Sequence, residues 1–267
     1  MATLFAFAGI VGAANLVQDC SPQKNTPAPN VSTGSCETGA DANANLDCRV
    51  EFTTNSLDLV WTQLLKEKNK VYTAPEVVVF ANQVQSACGL AELAVGPFYC
   101  SYDKTIYLET EFFKVLEKDY GFDNTAMAQE YVIAHEYGHA IQDRLGVLQR
   151  AFSGPIGDDS MPVRVELQAD CYAGVWATKA DELVDESGTP YLKPITEDQV
   201  KNAIGAASSV GDDNIQTRAG MEITPEKFSH GTSHEREQWF LAGYRTGSMN
   251  SCDTFNAADL DNPPALK

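Results

Sequence analysis

Basic residues are scarce in this sequence. Its 267 residues include 19 lysines and arginines against 37 aspartates and glutamates, a formal net charge of −18. Nucleic acids and anionic membrane surfaces are bound through basic patches, so this balance argues against both as partners. A surface that keeps the protein soluble explains the acidity more simply than a preference for cationic substrates.

The sequence also lacks an apolar stretch long enough to span a bilayer comfortably, so we expect no stable membrane span. Residues 3–17 have instead the length of a signal-peptide hydrophobic region, and residues 12–14 (Gly-Ala-Ala) offer a small-residue cleavage site. No lysine or arginine precedes Lys24, so a truncated start or a buried helix stays open. We predict a signal or apolar segment over residues 1–20 and a linker rich in Pro, Ser and Asn over residues 21–47.

Histidine is rare, and two of the four lie four residues apart, at His135 and His139, in the sequence His-Glu-Tyr-Gly-His. On a helix both imidazoles leave the same face, which suits two ligands of one Zn²⁺ at about 2.0–2.1 Å. Glu136 is rotated roughly 100° from His135, beside the metal, where a general base stands. No proline interrupts residues 124–145, and Gly146 is placed to end the helix. The alternative is a core helix with two satisfied histidines.

A second helix is predicted over residues 161–178, with Ser160 as its N-cap. Because burying an unpaired charge is costly, we interpret Glu166 as the third zinc ligand. Asp170, one turn on, would accept the free ring N–H of a ligand histidine. The alternative is an ordinary helix with two exposed acids. At 100° per residue, the two carboxylates share a stripe with apolar and small residues: Val163, Leu167, Ala173, Gly174 and Ala177.

These two motifs together resemble the zincin peptidases, whose third ligand is the glutamate of a Glu-x-x-x-Asp helix. More narrowly, the chain resembles the neutral zinc metallopeptidase family of bacteria. Tyr137 and Ala140 depart from the family pattern, and the resemblance does not reach the first 50 residues. The matching landmarks cover roughly residues 50–255 in order: Ser86–Gly89, Gly96–Cys100, Tyr131–Glu136, Glu166–Cys171, Ile204–Asp213, Phe228–Gly231 and Cys252–Phe255.

The expected fold is α+β and zincin-like, with a small twisted sheet packed on the active-site helix and further C-terminal helices. The domain is expected over residues 48–256, followed by a tail over 257–267. By resemblance, the strand at residues 106–109 is a candidate for the edge strand that pairs with extended substrate; the alternative is an ordinary sheet member. Other elements are predicted from local patterns: helices at 57–68, 111–117, 196–210 and 232–247, and strands at 76–80 and 104–109.

His230 directly precedes the capping box of the last predicted helix. A loop histidine beside a helix N-terminus is well placed for chemistry, so we nominate it as the donor that stabilises an oxyanion. Arg236 and Tyr99 are further candidates for that donor. His234, in the first turn of the helix, is expected at the surface, and a purely structural role for His230 stays open.

The predicted function is hydrolysis of a peptide or protein substrate with one Zn²⁺ per chain. His135, His139 and Glu166 would hold the ion and leave a fourth position open for water. Glu136 would act as general base and His230 as catalytic donor. Two alternatives remain: a zinc hydrolase of non-peptide amides such as cell-wall crosslinks, and an inactive, metal-stabilised binding protein.

The seven cysteines lack the C-x-x-C spacing of thiolate metal sites. Beside a zincin motif they indicate an oxidising compartment, hence a secreted, periplasmic or cell-surface bacterial protein. We expect Cys88 to pair with Cys100 across a short Gly/Pro-containing stretch, and Cys171 to pair with Cys252. The alternative is several buried free thiols in a cytosolic protein. Three cysteines, of which one must lack a partner within the chain, stay unassigned: Cys20, Cys36 and Cys48.

Overall fold

The first described elements are two helices, α1 (Gly39–Ala44) and α2 (Leu46–Glu67). Asn45 separates them and caps α2, because its side chain accepts the backbone N–H groups of the next turn. The linker prediction is therefore wrong for residues 39–47. The computed structural model describes residues 36, 39–180, 182 and 195–267, so the predicted signal segment and most of the predicted linker lie outside the described residues.

The strands are short: β1 (Glu76–Phe80), β2 (Gln83–Ser86), β3 (Gly89–Glu92), β4 (Phe98–Cys100) and β5 (Thr105–Glu109). Strands β1, β5 and β4 form one sheet in that order, with β5 parallel to β1 and antiparallel to β4. Strands β2 and β3 form a separate antiparallel hairpin. Because β5 has a partner on each side, the prediction of residues 106–109 as an edge strand is wrong, and the ordinary sheet member is confirmed.

The remaining helices are α3 (Phe112–Val115), α4 (Ala126–Leu145), α5 (Met161–Lys179), α6 (Glu197–Ser209), α7 (Asp212–Arg218) and α8 (Ser233–Thr246). The predicted N-caps are confirmed, since Ser160, Thr196 and Thr232 each accept a backbone N–H of the first turn. Gly146 ends α4 in the left-handed conformation, as predicted. The sequence signals at helix ends therefore place the helices that carry the site.

The main hydrophobic core lies between one face of the sheet and helices α2, α4, α5 and α8. Alternation along β5 sends Ile106 and Leu108 into this core and Tyr107 into a smaller cluster, which the β2–β3 hairpin covers. The backbones of helices α5 and α8 approach so closely that a Cβ on Gly174 would lie 2.1 Å from the carbonyl oxygen of Phe240. The small residues predicted on α5 thus admit a neighbouring helix.

Three disulfides tie the described part of the chain together. The two predicted pairs are confirmed: Cys88–Cys100 joins the hairpin to β4, and Cys171–Cys252 joins α5 to the segment after α8. The third pair is Cys36–Cys48, while Cys20 lies outside the described residues.

The chain end packs on the domain instead of forming a tail. Ala257 and Leu260 are buried, and the indole N–H of Trp239 in α8 donates to the carbonyl of Leu260. The tail prediction is wrong at these positions, because their apolar side chains extend the core. Among the described residues, no helix combines the length and the apolar character needed to cross a membrane.

Candidate metal centre

The three predicted ligands come together between helices α4 and α5. His135 and His139 from α4 and Glu166 from α5 are buried, and their ligand atoms all lie within 4.8 Å of one another. His135 Nε2 is 3.2 Å from Glu166 Oε2, and His139 Nε2 is 3.4 Å from Glu166 Oε1. The four-residue spacing on α4 puts both imidazoles on the face that α5 covers. This group can hold a metal ion.

Asp170, one turn after Glu166, supports the first histidine. Its Oδ1 lies 2.7 Å from His135 Nδ1, and Arg236 of α8 donates to both of its oxygens at 2.8 and 2.9 Å. The Tyr131 hydroxyl donates to Asp170 as well. Burial alone would raise the pKa of Asp170, but the charges of Arg236 and His135 hold that pKa below its usual value. Asp170 is therefore an ionised acceptor for the Nδ1–H of His135.

The site favours positive charge. Burial opposes ionisation of Glu166, yet the imidazoles of His139 and His135 hold its pKa well below the ordinary value. Burial would likewise lower the pKa of His135, but Asp170 and Glu166 raise it to about 9. Two carboxylates thus stabilise a cation between them, which is the electrostatic requirement of a divalent metal site.

Two buried groups of the site lack ordinary partners. No described side chain hydrogen-bonds to either carboxylate oxygen of Glu136, and the nearest approach to His139 Nε2 is the long 3.4 Å distance from Glu166. Burial raises the pKa of Glu136, while His139 and His135 lower it. Buried polar atoms without partners are rare in native proteins and call for an explanation. A metal ion bound by His139 Nε2 would explain why this atom lacks a protein partner. Two imidazoles and one carboxylate are a common donor set of catalytic zinc, so these residues fit a zinc ion.

His230 lies in the loop before α8, and Asp212 at the start of α7 holds it. Its Nδ1 is 3.1 Å from Asp212 Oδ1, and its backbone N–H donates to Asp212 Oδ2 at 2.7 Å. Burial would lower the pKa of His230, but Asp212 and Glu166 raise it, so the imidazole acts electrostatically on the ligand carboxylate. Sequence reasoning missed Asp212, because nothing local links the residue to a histidine 18 positions away.

The two further donor candidates have other partners. The Tyr99 hydroxyl donates to Asp143 at 2.7 Å, and only its backbone N–H influences Glu136. The Arg236 guanidinium donates to Asp170 of α5 and to the carbonyl of Val210, so it links α8 to the helix that carries Glu166. Neither side chain is therefore placed to receive an oxyanion. His234 is exposed, as expected.

The second histidine also has a partner that sequence reasoning missed. His139 Nδ1 lies 2.9 Å from Oε1 of Gln142, which is fully buried on the same helix. The available signal was a glutamine three residues after a ligand, on the helix face that carries both histidines.

Comparisons with known proteins identify the family of this chain. A family model described as "Putative neutral zinc metallopeptidase" matches residues 3–255, so the expected boundary of the resemblance at residue 50 is wrong. The uncharacterized protein Rv2575 of Mycobacterium tuberculosis is 49% identical over 234 residues, covering 87% of this chain and 78% of that protein. The uncharacterized protein YpfJ of Escherichia coli K12 is 34% identical over 203 residues, covering 73% and 66%. No solved structure matches the chain.

Proposed function

The chain belongs to the family described as "Putative neutral zinc metallopeptidase", and we propose that it hydrolyses peptide bonds with one zinc ion per chain. His135, His139 and Glu166 would hold the ion. The carboxylate of Glu136 carries the proposal: it is buried beside the ligand group, and no described side chain hydrogen-bonds to it. A structural zinc site has no use for such a group, whereas hydrolysis requires a base at that position.

A zinc ion in this site would polarise the scissile carbonyl and lower the pKa of water toward about 7. Glu136 accepts a proton from the attacking water and returns it to the leaving amine. Its place next to His135 in α4 puts the carboxylate beside the ligand group. The surrounding burial keeps bulk water from competing for that proton.

His230 is proposed to stabilise the developing oxyanion. Asp212 accepts from Nδ1 of the ring and from the backbone N–H of the same residue, so one carboxylate fixes both the imidazole and the backbone of His230. A donor fixed before the reaction costs no reorganisation when charge develops. Asp170 supports the reaction differently, because it orients His135.

The substrate is proposed to be a peptide or protein met outside the cytoplasm of a bacterium. Three disulfides within the described residues are compatible with an oxidising compartment. The relatives in Mycobacterium tuberculosis and Escherichia coli are bacterial proteins.

The test compares cleavage of a denatured protein by the wild type and by Glu136→Gln, with and without a chelator. We expect the chelator to abolish cleavage and zinc to restore it. Glu136→Gln should bind zinc and melt like the wild type, but lose at least about 10²-fold in rate, since an amide is a poor proton acceptor. Glu130→Gln, which removes a carboxylate from the same helix away from the ligand group, is the matched control and should stay active.

Two outcomes would count against the proposal. Undiminished cleavage by Glu136→Gln at equal zinc content would remove the mechanism. If the zinc-loaded wild type and Glu136→Gln were both inert on every peptide tried, hydrolysis of non-peptide amides or simple binding would replace peptide hydrolysis.

A further inference from the structure

We propose that Gln142 is a positioning residue of the metal centre, which sets the tautomer of His139 and links it through Gln168 to the C-terminal segment. This inference rests on the proposed function only in taking His139 as a metal ligand. Gln142 and Gln168 lie on α4 and α5, the same helices that carry the ligands, and both side chains are buried.

The orientation of the Gln142 amide is fixed by its neighbours. One end of the amide lies 2.7 Å from the carbonyl oxygen of Val165 in α5. A backbone carbonyl only accepts, so that end must be the NH₂ group, Nε2. The same Nε2 lies 3.2 Å from Oε1 of Gln168. The oxygen of the Gln142 amide must then be the end that faces His139.

This orientation decides which ring nitrogen of His139 carries the proton. Gln142 Oε1 lies 2.9 Å from His139 Nδ1, and an amide oxygen can only accept, so Nδ1 is the donor. A neutral imidazole has one N–H, which leaves the lone pair on Nε2. That nitrogen faces Glu166 Oε1 at 3.4 Å, on the side of the ligand group. Gln142 thus prepares His139 for ligation through Nε2 before any ion arrives.

The chain of amides continues away from the metal centre. Gln168 Nε2 donates to the carbonyl of Cys252 at 2.8 Å, so its Oε1 is free to accept from Gln142. Cys252 is bonded to Cys171, one turn beyond Gln168 on α5. Each amide in the chain therefore donates in the same direction, toward a carbonyl that the disulfide anchors to the ligand helix.

An amide meets both demands at position 142 with two different atoms. It must accept from His139 Nδ1 and donate to the Val165 carbonyl at once, whereas a carboxylate cannot donate and an aliphatic chain does neither. Gln129, a second buried glutamine of α4, serves a different purpose, because its partners are Arg49 and Asn124. Gln129 is therefore a control of the same residue type on the same helix.

The direct test is the tautomer of His139 in the metal-free protein, read by ¹⁵N NMR of the imidazole at alkaline pH, where free imidazole is neutral. With four histidines in the chain, His139→Ala suffices to assign the signals. We expect Nδ1–H in the wild type. Gln142→Leu should lose this preference and bind zinc about 10–100-fold more weakly in competition with a chelator.

Two further variants separate positioning from packing. Gln142→Glu retains an acceptor for His139, so it should keep the Nδ1–H tautomer and bind zinc more tightly than Gln142→Leu. Its lost donation to the Val165 carbonyl should lower the melting temperature instead. Gln129→Leu should lower the melting temperature and leave both the tautomer and the zinc affinity unchanged. An effect of Gln129→Leu equal to that of Gln142→Leu would mean that the losses reflect packing alone.

The wild-type spectrum decides the matter even if Gln142→Leu fails to fold. A proton on Nε2 of His139 in the wild type would overturn the inference, as would undiminished zinc affinity in folded Gln142→Leu. A wild type that has the Nδ1–H tautomer and binds zinc, yet cleaves no peptide, would refute the proposed function while the positioning role of Gln142 stands.

Discussion

Gly138 of α4 lies against Ala169 of α5 so closely that no side chain fits between the two helices. A Cβ on Gly138 would be 2.9 Å from Cα and 3.0 Å from Cβ of Ala169. The contact falls between His135 and His139 on one helix and between Glu166 and Asp170 on the other. It therefore sets the distance between the two histidines and the carboxylate that would complete the metal site.

We expect Gly138→Ala to weaken zinc binding and to destabilise the fold. Replacing a helical glycine by alanine gains up to about 1 kcal/mol of helix propensity, but overpacking typically costs about 1–3 kcal/mol. The loss should prevail because the obstructing atoms are backbone and Cβ, which cannot rotate away. Thermal melts and chelator competition measure the two effects.

Gly205→Ala is the control for helix propensity. A Cβ on Gly205 of α6 would meet nothing within 4 Å, so this substitution should leave zinc affinity unchanged and stabilise slightly. A Gly138→Ala protein as stable and as tight for zinc as the wild type would show that the helices can separate without cost.

Glu166→Ala is expected to lose bound zinc, since two imidazoles alone do not complete a catalytic site. Asp170→Ala should retain weak binding, reduced about 10–100-fold, because it removes only the acceptor of His135 Nδ1. Elemental analysis measures how much zinc each variant retains, and competition with a chelator measures its zinc affinity. Unchanged affinity in Glu166→Ala would refute the third ligand.

Asp170→Ala should also destabilise the fold by about 3–5 kcal/mol, because it leaves the buried charge of Arg236 unpaired. The double variant Asp170→Ala/Arg236→Met removes both charges. It should recover stability in a denaturant titration without recovering zinc affinity. Recovery of both together would mean that Asp170 matters only for folding.

His230→Ala should keep its zinc and lose about 10²–10³ in the rate of peptide cleavage, as expected when an oxyanion donor is removed. Asp212→Asn should lose less, because it weakens the hold on the ring without deleting it. The neighbouring His234→Ala is the matched control and should match wild type, since its side chain is exposed. Equal rates for all three variants would exclude His230 from the reaction.

The carboxyl group of Glu130 makes the free energy of unfolding depend on pH, and Glu130→Gln should remove this contribution. Burial raises the pKa of this carboxyl from 4.5 to about 7, although Arg49 opposes the shift. Between those values the folded state binds more protons than the unfolded chain, so stability falls as the pH rises through this window. At about pH 8 we expect Glu130→Gln to be more stable by about 1–3 kcal/mol, since one pKa unit corresponds to about 1.4 kcal/mol.

Denaturant titrations of both proteins between about pH 4 and pH 8 measure this difference, which should vanish at the acidic end. Other carboxyl groups with a raised pKa, such as that of Glu235, change the stability of both proteins equally with pH, so their effect cancels in the comparison. A difference that stays constant with pH would show that Glu130 titrates normally in the folded state.

The sequence by itself determined the parts of this protein that depend on local spacing. Local signals fix where the helices begin and end and which residues share a face. They are the i, i+4 histidines, the N-caps Ser160, Thr196 and Thr232, and the terminating Gly146. Such features follow from backbone geometry and from hydrogen bonds within a few residues. They sufficed to nominate the three residues that meet in the structure.

Only the tertiary structure decided what surrounds those residues. Asp212 reaches His230 across 18 residues, Arg236 reaches Asp170 across 66, and Gln168 reaches Cys252 across 84. The central place of β5 in the sheet and the packing of the chain end on α8 are equally non-local. These pairings have no signature in sequence spacing, because they arise only when helices and strands distant in the chain pack against one another.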